Sequence, residues 1–434
     1  MLAKLQRLRH HRFVRRLTML SGGFLAGQIV VLLASPLLTR LFTPAEFGVY
    51  AVFTALNGMF TACLSLRYEL GIPIAGNERD AAALHSAAVI AVVLTCAASL
   101  PLVWLIAPWL AGETEMPLLV SALWLLPLVV AIHTAGETLS YWSIYRGTFR
   151  NNALGRMLQG VSQSAAQLGL GWLGFHSWGL LAGFILGCVV RLVHLFHGLT
   201  RADRHLLVSI PLEQVRRQAS RHWHYPAYSA PSGLLEAGTQ LMPALLLAVM
   251  FGPAVAGWFG LGQRLMSLPI RLMSQAARQV FLSEAVERNP RGLYRLFKRS
   301  SWIFLAVGLS GMLPVALAGP WLFEVGFGLQ WRTSGEIVQL LVPLYLTRFV
   351  VTPVSQTLNI VGRQGLHLVS STLDASLLMA SFGCAWVFGL GVLPTVALFS
   401  ACSTFAYLVY FTLTWHAIRT TSRMPEAAAT SMAE

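Results

Sequence analysis

The chain alternates between apolar runs of about twenty residues and short segments that hold most of its charge. A run of that length matches what an α-helix needs to cross a hydrocarbon core about 30 Å thick. Lipid offers no hydrogen bonds, so each run must satisfy its own backbone groups, and a helix does this. Twelve such runs lie at roughly 17–38, 47–69, 83–107, 117–139, 153–174, 178–198, 228–250, 254–281, 300–322, 336–358, 367–389 and 393–415. A soluble fold is excluded, because 11% of the 434 residues are charged against about 25% in soluble domains. The expected fold class is an all-α polytopic membrane protein of about twelve transmembrane helices.

The net charge of +14 at first suggests a nucleic-acid partner. The distribution argues otherwise. With the N-terminus inside, the segments on that side hold 23 Lys and Arg, and the outer loops hold only Arg40 and Arg332. This is the asymmetry that sets membrane orientation. Both termini are therefore expected in the cytoplasm, and nucleic acid is not an expected partner. The expected layout is a basic N-terminal segment (1–16), a six-helix bundle (17–198), a cytoplasmic linker (199–227), a second six-helix bundle (228–415) and a disordered cytoplasmic tail (416–434). The linker contains RADRH and QVRRQASRHWH, read as an orientation signal attracted to anionic lipid headgroups or as a docking site for a partner protein. His222 and His224 have no further His or Cys at zinc spacing. The five cysteines lie in apolar runs without CxxC spacing, as packing residues do.

The halves carry a repeated signature. Phe42, Pro44, Ala45, Gly48 and Tyr50 of LTRLFTPAEFGVY match Phe251, Pro253, Ala254, Gly257 and Phe259. SGGFLAGQ (21–28) resembles PSGLLEAGTQ (231–240), and LLPL (125–128) resembles LVPL (341–344). Six spans return the chain to its starting side, so the repeats share an orientation. A pseudo-twofold along the membrane normal is expected, with substrate bound in a central cavity between the halves.

PLLTRLFTPAEFGVYAVF and the following LSLRYELGIPIA (64–75) resemble the polysaccharide-transporter branch of the multidrug/oligosaccharidyl-lipid/polysaccharide exporter superfamily. Its members include O-antigen and other lipid-linked oligosaccharide flippases. The resemblance is specific over residues 18–80. It implies a flippase of the bacterial inner membrane that moves an undecaprenyl-diphosphate-linked oligosaccharide, such as an O-antigen repeat of lipopolysaccharide, to the periplasmic leaflet by alternating access. Implied partners are that lipid-linked oligosaccharide, membrane lipids and polysaccharide-assembly proteins. The alternatives are an ion-coupled multidrug exporter of the same superfamily and a membrane-embedded polysaccharide polymerase or ligase. No outer loop is large enough for the latter, no domain supplies acidic metal ligands, and no P-loop pattern is present. A non-enzyme without a cofactor is expected, with H+ or Na+ as candidate coupling ions.

Charges inside spans mark the candidate site, since each costs about 2.5–3.5 kcal/mol at mid-helix on insertion scales. Arg264, Arg271 and Arg278 are spaced by seven and fall within about 20° of one helix face. Arg264 lies about 15 Å from the outer end of its run; Arg271 and Arg278 are close enough to the inner end to snorkel. Arg348 is near mid-depth, followed on one face by Thr352, Ser355 and Asn359. Arginine suits diphosphate because its planar fork binds oxygens bidentately. Arg156, Gln159, Gln163 and Gln167 form a stripe suited either to sugar hydroxyls or to helix–helix hydrogen bonds. Acidic residues within spans are Glu69, Glu137, Glu236 and Asp374. Arg67 and Glu69 are candidates for a cytoplasmic gate. Glu236 and Asp374 are candidates for ion coupling or for pairing with a span arginine. His133 and Glu137, one turn apart, form either a proton relay or an ordinary packed pair.

Overall fold

The computed structural model describes residues 26–113, 117–286, 290–355 and 364–423. The segment 1–16, the start of the first run and residues 424–434 of the tail lie outside them. The apolar runs are helical over most of their described residues: α1 (Ala26–Leu41), α2 (Pro44–Thr61), α3 (Glu78–Glu113), α4 (Pro117–Leu123), α5 (Leu126–Tyr145), α6 (Phe149–Trp172) and α7 (His176–His197). The linker forms α8 (Arg201–Ser209) and α9 (Leu212–Arg221). There follow α10 (Ala230–Phe251), α11 (Pro253–Val286), α12 (Pro290–Phe327), α13 (Arg332–Ser355), α14 (Gln364–Val387) and α15 (Val392–Arg423). There is no strand among the described residues. Large apolar side chains such as Trp104, Leu317 and Trp386 lie exposed, as a lipid-facing surface requires. Among the described residues, six helices are long and apolar enough to span on those grounds alone. Helix α1 is shorter as described, and α6 carries the polar stripe.

Two runs break for local reasons. The fourth divides into α4 and α5 because Pro127 has no N–H to bond back to residue 123. The second ends at Thr61 instead of continuing to 69. Leu66 (φ 51°) and Arg67 (φ 61°) adopt the left-handed conformation, which costs non-glycine residues about 1–2 kcal/mol each. A 3-10 segment, Tyr68–Ile74, follows. Its buried Tyr68 and Ile72 anchor it among Leu84, Trp142 and Leu195.

The chain divides into two compact units, Met1–Gly257 and Trp258–Glu434. The division falls near the start of α11, beyond the 199–227 linker, because α10 packs on α2. In the first unit the repeated turns meet each other. A Cβ at Gly48 would strike the Pro253 backbone, and one at Gly257 would strike the Pro44 backbone. Each glycine thus admits the first turn of the opposite helix, which begins with proline in both copies. Thr43 and Glu46 close a capping box at the start of α2. Gly252 (φ 87°) supplies the reversal before α11.

At the other end of the first unit, Arg146 joins three segments. It pairs with Glu78 at the start of α3 and with Asp203 of α8, and these hydrogen bonds, that to Glu78 foremost, hold its guanidinium above its ordinary pKa. Asp203 also completes the capping box with Thr200.

The second unit packs α12 on α13, and α13 and α14 on α15. Trp331 is fully buried. Ser334 donates to the Trp258 carbonyl at 3.0 Å, and Trp258 Nε1 donates to the Gln330 carbonyl at 2.9 Å. Helix α12 kinks at Ala318, between Pro314 and Pro320.

Candidate functional site

The first unit holds a charged cluster among α5, α6 and α7. His133, Glu137 and Ser140 share a face of α5 by their spacing. Arg191 of α7 is 1% exposed. It donates to Glu137 Oε1 at 2.8 Å and to Ser140 Oγ at 2.5 Å. Arg156 of α6 donates to Glu137 Oε2 at 3.1 Å. One carboxylate therefore lies between two guanidinium groups, and the trio carries a net positive charge. Arg156 and Glu137 keep about a quarter of their side-chain surface exposed, 25% and 24%, so the cluster has an accessible face. His133 Nδ1 lies 2.7 Å from Asn57 Oδ1. Its Nε2 is 3.9 Å from Glu137, beyond hydrogen-bond range.

Small residues allow these helices to approach. A Cβ at Gly187 of α7 would lie 2.9 Å from the Gln159 carbonyl oxygen and 2.9 Å from Gln163 Cβ. Gly27 of α1 and Gly160 of α6 likewise face each other's helix backbone. The glutamine stripe is spent on neighbours. Gln159 donates to Cys188 Sγ at 3.7 Å, Gln163 to Tyr50 Oη at 3.0 Å and Gln167 to the Leu180 carbonyl at 2.9 Å.

Arg67 rests on α10. A Cβ at Gly233 would lie 2.7 Å from its Nη2 and 2.9 Å from its Nε. Glu69 is buried, with Oε2 lacking a hydrogen-bond partner. Arg67 and Glu69 form no ion pair with each other or with other described residues. Glu236 is exposed on α10.

In the second unit Arg348 of α13 faces Asp374 of α14 at 3.8 Å and lies over the Tyr407 ring of α15, 5.0 Å from its centroid. Arg264 is partly buried on α11, and Arg271 is exposed one heptad further on. Arg271 makes no ion pair among the described residues. Arg278 continues the row along the α11 backbone, but its side chain and Asn359 lie outside the described residues.

Arg191, Asn57 and Tyr50 were not singled out as site residues from sequence. Arg191 had the clearest signal, a charge inside an apolar run. Asn57 and Tyr50 had none beyond their polarity.

Apolar helices that carry arginines within their runs, several of them ion-paired, define a multi-span membrane protein. The fold is shared with solved transporters. An inward-facing multidrug resistance MATE family transporter of the MOP superfamily matches with a TM-score of 0.60 at 17% identity, covering 94% of this chain and 96% of that one. The lipid II flippase MurJ, in an inward closed conformation, matches with a TM-score of 0.68 at 11% identity, covering 95% and 89%. A MOP superfamily transporter from Pyrococcus furiosus, in which reverse polarity of the binding pocket suggests a different function, matches with a TM-score of 0.59 at 16% identity, covering 94% and 96%. No curated protein shows significant sequence similarity. The profile of the family described as "Polysaccharide biosynthesis protein" matches residues 37–336, and the chain belongs to that family. The resemblance seen in residues 18–80 to the polysaccharide branch of the exporter superfamily is thereby borne out.

Proposed function

We propose that the protein is a flippase that moves an undecaprenyl-diphosphate-linked oligosaccharide, an O-antigen or another surface-polysaccharide repeat, across the bacterial inner membrane from the cytoplasmic to the periplasmic leaflet. The observation that carries this reading is the sign of the charge at span depth. In the first unit two arginines share one carboxylate, and the second unit adds Arg264 and Arg271 on one face of α11. A basic interior concentrates a diphosphate headgroup and disfavours the cationic compounds that a multidrug exporter would carry. Membership of a polysaccharide biosynthesis family and a fold shared with a lipid II flippase support the same substrate class.

Within this reading Arg264, Arg271 and Arg278 are the diphosphate-binding row, and Arg156 presents a second cation. Arg348 is held by Asp374 and Tyr407 and contributes less. A coupling ion, H+ or Na+, needs an acidic group with access to water. Glu236, exposed and outside any ion pair among the described residues, meets that condition better than Glu137 or Asp374.

The test is complementation of a strain lacking the chain. Loss of the chain should abolish surface glycan and leave lipid-linked oligosaccharide on the cytoplasmic side. The Arg264→Ala/Arg271→Ala double variant should restore protein abundance but not glycan. Full surface glycan without the chain overturns the function, and full glycan with the double variant overturns the assignment of the row.

A further inference from the structure

The segment 198–224 joins two spanning helices of the first unit. It leaves α7 at His197 and leads into the next span, Tyr225–Phe251, so both its ends are fixed at one membrane boundary. Its folded part sits at that boundary as well. Val215 of α9 is buried among Ala81, Ala82 and Leu84, which belong to the first two turns of α3. Tyr225 is buried in the same cluster, where a Cβ at Gly71 would lie 3.1 Å from its ring. Helix α9 and the start of the next span are thus seated in a fixed orientation, at the depth where the spans begin.

With Val215 and Gln218 turned inward, helical spacing sets what α9 turns outward. Leu212 and Arg216 lie one turn apart along one edge, and Arg217 and Arg221 one turn apart on the face opposite the bundle. All four are exposed. Leu212 is 72% exposed, and Trp223, just past the helix, is 57% exposed. The Trp223 ring lies 5.7 Å from that of Tyr228, which is also exposed and stands in the first turns of the next span. The charge around these apolar groups has one sign. The segment carries five arginines against Asp203 and Glu213. Asp203 is bound to Arg146, and Glu213 to Arg217 at 3.2 Å. Arg216 and Arg221 make no ion pair among the described residues.

We propose that the outward side of α9, with Trp223 and Tyr228, is a docking surface for the anionic headgroups of the adjoining leaflet. Arg216 and Arg221 face lipid phosphates, while Leu212 and the two rings enter the interface beneath them. Three features select this occupant. The segment is tethered to the bilayer at both ends. Tryptophan and tyrosine at the end of a spanning helix sit at headgroup level, apolar body inward and polar tip outward. A cluster of arginines next to a span is drawn to an anionic leaflet, whereas the centre of a protein-docking face is depleted of charge. The contact fastens the connection between the two repeats to the membrane surface, whatever substrate is carried.

The experiment is amide hydrogen exchange of the full chain in nanodiscs, read on the peptide 212–223. In phosphatidylglycerol discs at low salt, exchange of the wild type should be at least about fivefold slower than in phosphatidylcholine discs, the contribution of one arginine at an anionic surface. Salt at 0.5 M, where screening acts over about 4 Å, should remove most of the difference. The Arg216→Gln/Arg217→Gln/Arg221→Gln variant, which leaves Val215 and Gln218 in place, should exchange alike in the two lipids. Trp223→Ala should exchange several-fold faster in both lipids and keep the preference for phosphatidylglycerol. Equal exchange of the wild type in the two lipids overturns the proposal, as does an unchanged preference in the triple variant. Protection seen only in discs drawn from native membranes, with other proteins present, makes the occupant a protein and also overturns it. If the triple variant does not fold, the wild-type comparison of lipids and salt decides alone.

Discussion

Replacing either repeated glycine by alanine tests the packing of the two turns. At Gly48 the new Cβ would lie 2.5 Å from the Pro253 carbonyl carbon and 3.0 Å from its Cα, with the carbonyl oxygen closer still. At Gly257 it would lie 2.9 Å from both the Pro44 carbonyl carbon and the Gly48 nitrogen. Carbon atoms rest at about 3.5–4.0 Å, so the backbones must separate by about 1 Å. No side-chain rotation can absorb this. Overpacking of this kind costs about 1–3 kcal/mol, and a rigid backbone contact belongs at the upper end. Helix propensity acts in the opposite direction, since alanine is better than glycine by about 1 kcal/mol within a helix. The net expectation is a loss of about 1–2 kcal/mol for each variant, read as a lower melting temperature of the detergent-solubilised protein. One separation relieves both clashes, so the double variant should cost less than the sum. Gly238→Ala on α10 is the control. Its Cβ would meet nothing within 4 Å, so it should be neutral or stabilising. If Gly48→Ala and Gly257→Ala melt as high as Gly238→Ala, the reciprocal contact is not what these glycines are for.

Other variants probe the charges. Glu137→Ala leaves Arg191 and Arg156 without their shared carboxylate and should cost about 3–5 kcal/mol, seen as lost monodisperse protein. Adding Arg191→Met to Glu137→Ala should recover part of the yield. Asp374→Asn should be more damaging than the paired Arg348→Leu/Asp374→Leu, because apolar residues of similar volume can replace a buried pair at little cost; expression and melting of the two distinguish them. Arg146→Gln removes the link from α3 to α8 and leaves the buried Asp203 without its cation; a loss of at least about 1 kcal/mol should raise proteolysis of the α8–α9 segment about fivefold or more.

The residues differ in how far sequence could carry them. The glutamine stripe of α6 was legible as a stripe, but periodicity places a residue on a face without saying what the face meets. Tyr50, Cys188 and the Leu180 carbonyl answer that question here, in favour of helix–helix bonding. Arg348 and Asp374 were both visible as charges in apolar runs, with pairing to a span arginine one of two readings for Asp374; the structure brings them to 3.8 Å. The early end of α2 had no sequence signal, because Leu66 and Arg67 are not residues that favour positive φ. Their conformation is held by the buried 3-10 segment that follows.

Sequence alone determined the class of molecule, the positions of its apolar runs, the repeat and the family. The physical reason is that lipid imposes length and apolarity on every span, and charge asymmetry on the loops, one segment at a time. The tertiary structure alone decided which charges neutralise one another and why Gly48 and Gly257 face prolines of the opposite turn. These are relations between helices far apart in the chain. They depend on how closely the backbones approach, which no single run of sequence records.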